Sequence, residues 1–150
     1  MNIDFESVRR MTTGAVPFAQ RAGVDLLEFE RGRVKMKIPL ASNQNHIGIM
    51  YAGALFTVAE IPGGALFLSA FDASRCYPIL VDMAVKFLKP ATTDVFVEAC
   101  LSEEDIARVN AGLESAGKEQ FVLDLALKDA NDVTVATTTA TYQVRLHRRG

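Results

Sequence analysis

The sequence contains one long apolar segment, Ala52 to Phe71, that carries a single ionisable side chain. Ala, Leu, Phe, Val and Gly dominate this segment, and its ionisable residue is Glu60. A helix on the surface of a soluble protein would show a polar face along its length. This segment shows none. We therefore interpret it as a helix that other elements surround on nearly all sides.

A helix of about twenty residues would extend about 30 Å, which is also long enough to cross a membrane. Three features argue against a membrane span. Glu60 lies near the middle of the segment, Pro62–Gly64 interrupts it, and strand-like patterns flank it on both sides. The sequence therefore predicts a buried central helix and no membrane partner.

Apolar and polar residues alternate on both sides of this segment, as expected for half-buried strands. Six stretches predict strands, two before the helix and four after it, at residues 24–30, 33–38, 77–88, 94–101, 121–128 and 133–144. A short helix is predicted over residues 2–12. Residues 102–118 are polar and contain glycine, so we interpret them as a mobile connection.

The order of these elements indicates the fold class. Strands and helices do not alternate, so a parallel sheet is not expected and the class is α+β. One curved antiparallel sheet of five to six strands, wrapped around the long helix, explains both patterns. The 150 residues predict one domain, with an N-terminal helical extension over residues 1–20 and a basic tail over residues 145–150.

Composition argues against several classes of function. The chain has 16 basic and 18 acidic residues, whereas a nucleic-acid-binding domain would show a broad basic patch. Its two cysteines and two histidines are too few and wrongly spaced for a Cys/His metal site. The first residues lack the charged-then-apolar order of a secretion signal. We expect a cytoplasmic protein that binds neither nucleic acid nor metal.

Glu60 is the main candidate for a catalytic residue. A carboxylate within an apolar helix costs free energy unless it is paired or functional. Burial should raise its pKa, which suits a general base or a nucleophile. The structural alternative is an ion pair with an arginine at a subunit boundary.

The start of the helix offers a second chemical feature. Residues 51–53 should form its first turn, where backbone N–H groups lack partners and the helix dipole favours negative charge. Ala52 and Gly53 are small enough to let a carbonyl oxygen approach, as in an oxyanion hole. The alternative is close packing of the helix on the sheet. Asn45, just upstream, could orient a carbonyl or a water, or could simply be a turn residue.

Asn45–Glu60, with the sequence NHIGIMYAGALFTVAE, resembles the signature of hotdog-fold thioesterases of the phenylacetate-pathway type. That signature has an Asn, then His-Gly-Gly, then an acidic residue seven positions after the last Gly, which is the spacing of Gly53 and Glu60. Residues 81–83 and 87–91 resemble the strand that follows the helix in that family. The likeness covers about residues 20 to 145. It is especially close to bacterial hotdog proteins with domain-of-unknown-function labels.

This resemblance implies a hotdog fold that hydrolyses an acyl-CoA thioester to the free acid and coenzyme A. The sites would lie between the subunits of a homodimer or a dimer of dimers, and no cofactor would be needed beyond the coenzyme A of the substrate. Glu60 would be the base or nucleophile, Asn45 would help to place the water or carbonyl, and the Ala52 and Gly53 amides would polarise the carbonyl. Substrate or coenzyme A contacts are expected at Tyr51, His46, Val81 and Lys89.

Three positions depart from the family pattern. Glu60 stands where many relatives have Asp, although one branch of hotdog thioesterases has Glu there. Residues 51–53 read Tyr-Ala-Gly instead of His-Gly-Gly. Leu80 stands where a Ser or Thr often assists from the strand after the helix.

Two other functions remain open. A dehydratase or hydratase on the same fold would pair His46 with Glu60, although Ile47–Gly48 replaces the usual Phe-Pro-Gly after the histidine. A binding module would hold an acyl thioester without cleaving it. Loss of thiol release in a Glu60→Gln variant would favour the thioesterase.

Overall fold

The computed structural model describes residues 4–148, which form an antiparallel sheet packed around one long helix. The helices are α1 (Phe5–Met11), α2 (Pro17–Ala22), α3 (Ala52–Ala70) and α4 (Glu103–Ala116). The strands are β1 (Asp25–Glu30), β2 (Arg33–Ile38), β3 (Cys76–Phe87), β4 (Val95–Cys100), β5 (Lys118–Asp129) and β6 (Thr134–Leu146). The predicted α+β class is confirmed, with six strands in the sheet.

The sheet has the strand order β1-β2-β4-β5-β6-β3, and every neighbouring pair is antiparallel. Strands β1 and β3 therefore lie at its two edges. β3 pairs with β6 on one side only, and its register shifts between Leu80 and Asp82, so that Val81 forms a bulge. The outer edge of β3 carries backbone groups that can pair with another strand.

Helix α3 lies at the centre of the fold and contacts all six strands. It continues through Pro62, which the sequence suggested as an interruption. Most of its side chains are buried, including Val58 and Leu66. One stripe stays accessible, because Ala52, Phe56 and Glu60 follow one another at intervals of four residues and lie on one face. The helix is thus covered on all but one side.

Among residues 4–148, α3 is the one helix long and apolar enough to cross a membrane. Most of it is buried inside the fold. The core helix of a soluble domain has the same length and composition, and α3 has the surroundings of such a core helix.

The prediction of a mobile connection over residues 102–118 is wrong, because α4 occupies most of it. Ser102 caps α4 by accepting a hydrogen bond from the Asp105 N–H at 3.0 Å. Gly117 ends the helix in the left-handed conformation, with φ of 72°. Ile106 and Leu113 are buried against the rest of the fold. The polar residues that suggested a loop form the outer face of this helix.

Both terminal extensions also differ from the prediction. The N-terminal extension consists of two short helices, and α2 reaches Ala22 rather than residue 20. Pro17 starts α2, and Gly23 ends it with φ of 77°. At the other end, β6 includes residues 145 and 146, which the sequence had assigned to the basic tail. Residues 1–3 and 149–150 lie outside the described residues.

Candidate active site

Glu60 lies on the accessible stripe of α3, beside a cavity of about 270 Å³. The cavity is mainly apolar and open on one side, and the side chains that line it include Met11, Val16, Phe67, Leu68, Leu80 and Tyr142. Glu60 is half-buried, and its carboxyl group has no hydrogen bond or ion pair within residues 4–148. Burial therefore raises the pKa of Glu60 above its usual value, since no charge offsets the lost hydration.

Tyr142 holds the backbone at Glu60 in place. Its hydroxyl group donates a hydrogen bond to the Glu60 carbonyl oxygen at 2.6 Å. Its ring is 2% exposed and stacks on Phe121, with 5.2 Å between the ring centroids. Burial, and secondly the nearby charge of Glu60, raise the pKa of Tyr142 well above its usual range. The phenol thus stays protonated and acts as a hydrogen-bond donor.

Gly63 provides the space that the Tyr142 ring occupies. A methyl group on Gly63 would lie 2.6 Å from the Tyr142 hydroxyl oxygen and closer still to the ring carbons. The ring therefore packs directly on the backbone of α3. Sequence reasoning did not single out Tyr142. The available signal was an aromatic residue on an inward position of a Val- and Thr-rich strand.

The start of α3 presents free backbone donors. Tyr51 precedes the helix without capping it through its side chain. The N–H groups of Ala52 and Gly53 have no hydrogen-bond partner among residues 4–148. A methyl group on Gly53 would lie 2.9 Å from Cζ of Tyr51, so a larger residue there would displace the exposed tyrosine ring from its position over this turn. These amides can donate to an oxyanion.

Asn45 is engaged in the turn that precedes α3. Its side-chain oxygen accepts hydrogen bonds from the N–H groups of Ile47 at 3.0 Å and Ile49 at 3.3 Å. This is the turn role that the sequence left open for Asn45. Its side-chain NH₂ group makes no hydrogen bond within the described part of the chain, so both of its N–H donors remain for a ligand.

Asn45 and the helix start share a second cavity of about 310 Å³. Ala52 and Lys89 also line this cavity, whereas Glu60 does not. Eight residues of α3 separate Ala52 from Glu60, which corresponds to about 12 Å along the helix. Within one chain, therefore, the candidate acid and the candidate oxyanion donors are not brought to the same site.

The other predicted contact residues lie on the surface around these cavities. His46 is exposed in the loop before α3 and lines neither cavity. Tyr51 is 56% exposed, and Val81, at the β3 bulge, is 44% exposed. Lys89 is exposed at the rim of the second cavity. Leu80 lines the Glu60 cavity and offers no hydroxyl group there.

The described residues hold no cluster of three His, Cys, Asp or Glu side chains that could bind a metal ion. The polar groups at the two cavities that are free to contact a ligand include the Glu60 carboxyl group, the Asn45 amide, the helix-start amides and the Lys89 ammonium group, whereas the hydroxyl groups of Thr12 and Tyr142 donate to backbone carbonyl groups. This set can bind a carbonyl group and supply a base.

Comparison with known proteins gives consistent results. The profile of a family described as Domain of unknown function (DUF4442) matches residues 6–144. One similar solved structure is that of a Pseudomonas aeruginosa protein of unknown function, described as a probable thioesterase. Its sequence is 44% identical to this chain, and the two structures superpose with a TM-score of 0.92. The match covers 98% of this chain and 99% of that one. No match was found among curated proteins.

Two more distant structures share the fold. A protein of unknown function from Chlorobaculum tepidum has a TM-score of 0.84 at 15% identity, covering 95% of this chain and 94% of that one. A thioesterase from Haemophilus influenzae has a TM-score of 0.76 at 12% identity, covering 97% of this chain and 93% of that one.

Proposed function

The chain belongs to the DUF4442 family and has the hotdog fold, and we propose that it hydrolyses acyl-CoA thioesters to a free acid and coenzyme A. The probable thioesterase that it resembles at 44% identity supports thioester hydrolysis in general. The observation that carries the proposal is the half-buried, unpartnered carboxyl group of Glu60 beside an apolar cavity. The same proposal includes four further points: acyl-CoA is the substrate, the protein is of the phenylacetate-pathway type, it is cytoplasmic, and it needs no cofactor.

The reaction needs a base and a site for negative charge. The Glu60 carboxylate takes a proton from a water molecule, whose oxygen attacks the thioester carbonyl carbon. The carbonyl oxygen becomes an oxyanion, which the amides of Ala52 and Gly53 stabilise. The C–S bond then breaks, and the coenzyme A thiolate leaves and takes up a proton. Direct attack by the carboxylate, followed by hydrolysis of the anhydride, would use the same groups.

The separation of about 12 Å along α3 supports a site to which a second copy of the chain contributes. Glu60 and the helix start of one chain cannot both reach one thioester carbonyl group. Edge strand β3 offers unpaired backbone groups to a partner, and large apolar side chains near it are exposed, including Phe56, Phe87 and Leu88. We propose that two copies pair along this edge and place Glu60 of one subunit beside the helix start of the other. Dimers could associate further into a dimer of dimers.

The remaining predicted residues have roles within this arrangement. The Asn45 amide would donate to the carbonyl group or the water, and Lys89 would attract the phosphates of coenzyme A. Tyr51, His46 and Val81 are exposed, and we propose that they contact the bound substrate in the dimer. These assignments are tested best in the assembled protein.

A binding module is the second candidate, and Leu80 is the observation that favours it. Its side chain lines the Glu60 cavity where related enzymes often carry a hydroxyl group, so fewer polar groups can assist Glu60. A protein of this kind would hold the acyl thioester intact. No observation favours the dehydratase or hydratase, since the His46 ring lies outside both cavities.

Release of free thiol from a panel of acyl-CoAs tests the proposal. We expect release by the wild type and a decrease of at least about 100-fold in Glu60→Gln, because that change removes the base. Glu104→Gln is the matched control, because Glu104 is an exposed residue of α4. Equal rates in the wild type and Glu60→Gln would refute the role of Glu60. A wild type that binds acyl-CoA but releases no thiol would be a binding module.

A further inference from the structure

The Glu60 cavity adjoins a groove on the surface, and two side chains line both spaces. The groove has a volume of about 790 Å³ and lies at the C-terminal end of α3. Met11 of α1 and Leu68 of α3 line both the cavity and the groove. They therefore lie where the two spaces adjoin, and we call this pair the partition.

We propose that Met11 and Leu68 set the length of the acyl chain, and that the preferred substrate carries a medium-length chain of about ten carbons. This inference rests on the proposed acyl-CoA hydrolysis at Glu60. The reacting carbonyl group would lie at Glu60, and the hydrocarbon chain would run along α3 through the apolar cavity. Its terminal methyl group would meet the partition.

The length of the cavity along α3 gives the first estimate. Glu60 and Leu68 are eight residues apart on the helix, which corresponds to about 12 Å. An extended polypeptide spans about 3.5 Å per residue, which is about 1.2 Å for each of its three backbone bonds. We use about 1.2 Å per bond for an extended acyl chain as well. A chain of about ten bonds therefore reaches from the carboxyl group of Glu60 to the partition.

The volume of the cavity gives a second estimate. A methylene group takes up roughly the space of one water molecule, about 30 Å³. The cavity of about 270 Å³ then holds about nine such groups. The length and the volume of the cavity agree on a medium-length chain of about nine or ten carbons.

The partition can be altered without damage to the core. Met11 is the last residue of α1 and is 48% exposed, and Leu68 is half-buried. Both side chains are apolar, so trimming them leaves no polar group without a partner. The groove beyond them is of mixed character, with apolar Ala70 and Phe71 beside polar residues such as Arg31 and Asp72. A longer chain could continue into it once the partition is opened.

The test compares kcat/KM over a series from butyryl-CoA to palmitoyl-CoA. The wild type should be most active near decanoyl-CoA. The double variant Met11→Ala, Leu68→Ala should raise the palmitoyl-to-decanoyl ratio at least about tenfold, since each methylene accommodated in an apolar pocket changes selectivity by about that factor. Leu68→Phe should shift the optimum to shorter chains. Met11→Ala alone changes an exposed residue, so it gives a partial shift even if the double variant folds poorly.

The matched control is Val122→Ala, which trims an exposed apolar residue on β5 away from the partition. Its chain-length profile should equal that of the wild type. If the Met11 and Leu68 variants are active but keep the wild-type chain-length profile, the proposed role of Met11 and Leu68 is wrong, while the proposed hydrolase activity stands.

Absence of hydrolysis for every chain length would instead remove the proposed function. Calorimetric titration with the same acyl-CoAs then measures the length preference of binding directly. An affinity maximum that shifts in the partition variants supports the partition. Affinities that do not depend on chain length, or no binding at all, would overturn it.

Discussion

Gly63 should be one of the least replaceable residues in the protein, because the Tyr142 ring packs on its Cα. In Gly63→Ala, the new methyl group would lie 2.6 Å from the Tyr142 hydroxyl oxygen and closer to the ring, so either the ring or the helix must move. The ring has little freedom to do so. It is stacked on Phe121 and bonded to the Glu60 carbonyl oxygen.

The cost follows from the contacts that would be lost. Breaking the hydrogen bond from Tyr142 costs about 1 kcal/mol. Loss of the stacking on Phe121 costs about another 1 kcal/mol, and strain from the extra methyl group adds about 2 kcal/mol. Alanine regains about 1 kcal/mol over glycine in a helix. We therefore expect Gly63→Ala to lower the free energy of unfolding by about 3 kcal/mol.

Gly64 provides the matched control, because a methyl group placed there has no neighbour within 4 Å. Gly64→Ala should stabilise the protein by up to about 1 kcal/mol. Urea denaturation followed by circular dichroism measures both changes. Replacing Tyr142 by Leu should make Gly63→Ala nearly neutral, which a double-mutant cycle detects as coupling of about 2 kcal/mol or more. Equal stability of the two alanine variants would refute this reasoning.

Three further predictions concern Glu60, Tyr142 and α4. Because burial raises the pKa of Glu60 above 4.5, the folded state binds its proton more tightly than the unfolded state. The free energy of unfolding of the wild type should therefore fall relative to that of Glu60→Gln as the pH rises from 4.5 through the raised pKa. The rate of hydrolysis by the wild type should increase over the same range. Parallel curves of stability against pH for the two proteins would contradict this. Tyr142→Phe should lower the free energy of unfolding by about 1 kcal/mol. It should also reduce kcat more than it raises KM, because Tyr142 positions Glu60. A change in KM alone would show that Tyr142 does not position Glu60. Ser102→Ala removes the cap of α4 and should cost about 1 kcal/mol in a thermal melt, and an unchanged melting temperature would show that the cap contributes nothing.

The elements with a clear period were predicted well from the sequence. The alternation over residues 33–38 gave β2 with its observed bounds, and the apolar segment gave α3 to within one residue at its end. These patterns are local and reflect which face of an element is buried. Helix α4 was missed although Ser102 and Gly117 mark its ends, because its mainly polar sequence was interpreted as a loop.

The candidate site was predictable only in part. An acid among apolar residues is visible in the sequence, and the structure places Glu60 beside an apolar cavity; the catalytic roles of Glu60, Asn45, Ala52 and Gly53 stay predictions. The contact between Gly63 and Tyr142 joins residues far apart in the chain, so no local pattern reveals it. The same holds for Met11, the last residue of α1, which lines the cavity together with residues of α3.

The position of β3 in the sheet has a consequence for the folding kinetics. β3 pairs only with β6, and β4, α4 and β5 all lie between them in the chain. A long loop must close before any β3–β6 hydrogen bond forms. The chain therefore loses the entropy of loop closure before the strand pairing stabilises it. Until then one side of α3 and the apolar residues of β3 stay exposed, which makes partly folded chains prone to aggregate. Refolding should therefore be slow compared with helical proteins of this size and should give higher yields in dilute solution.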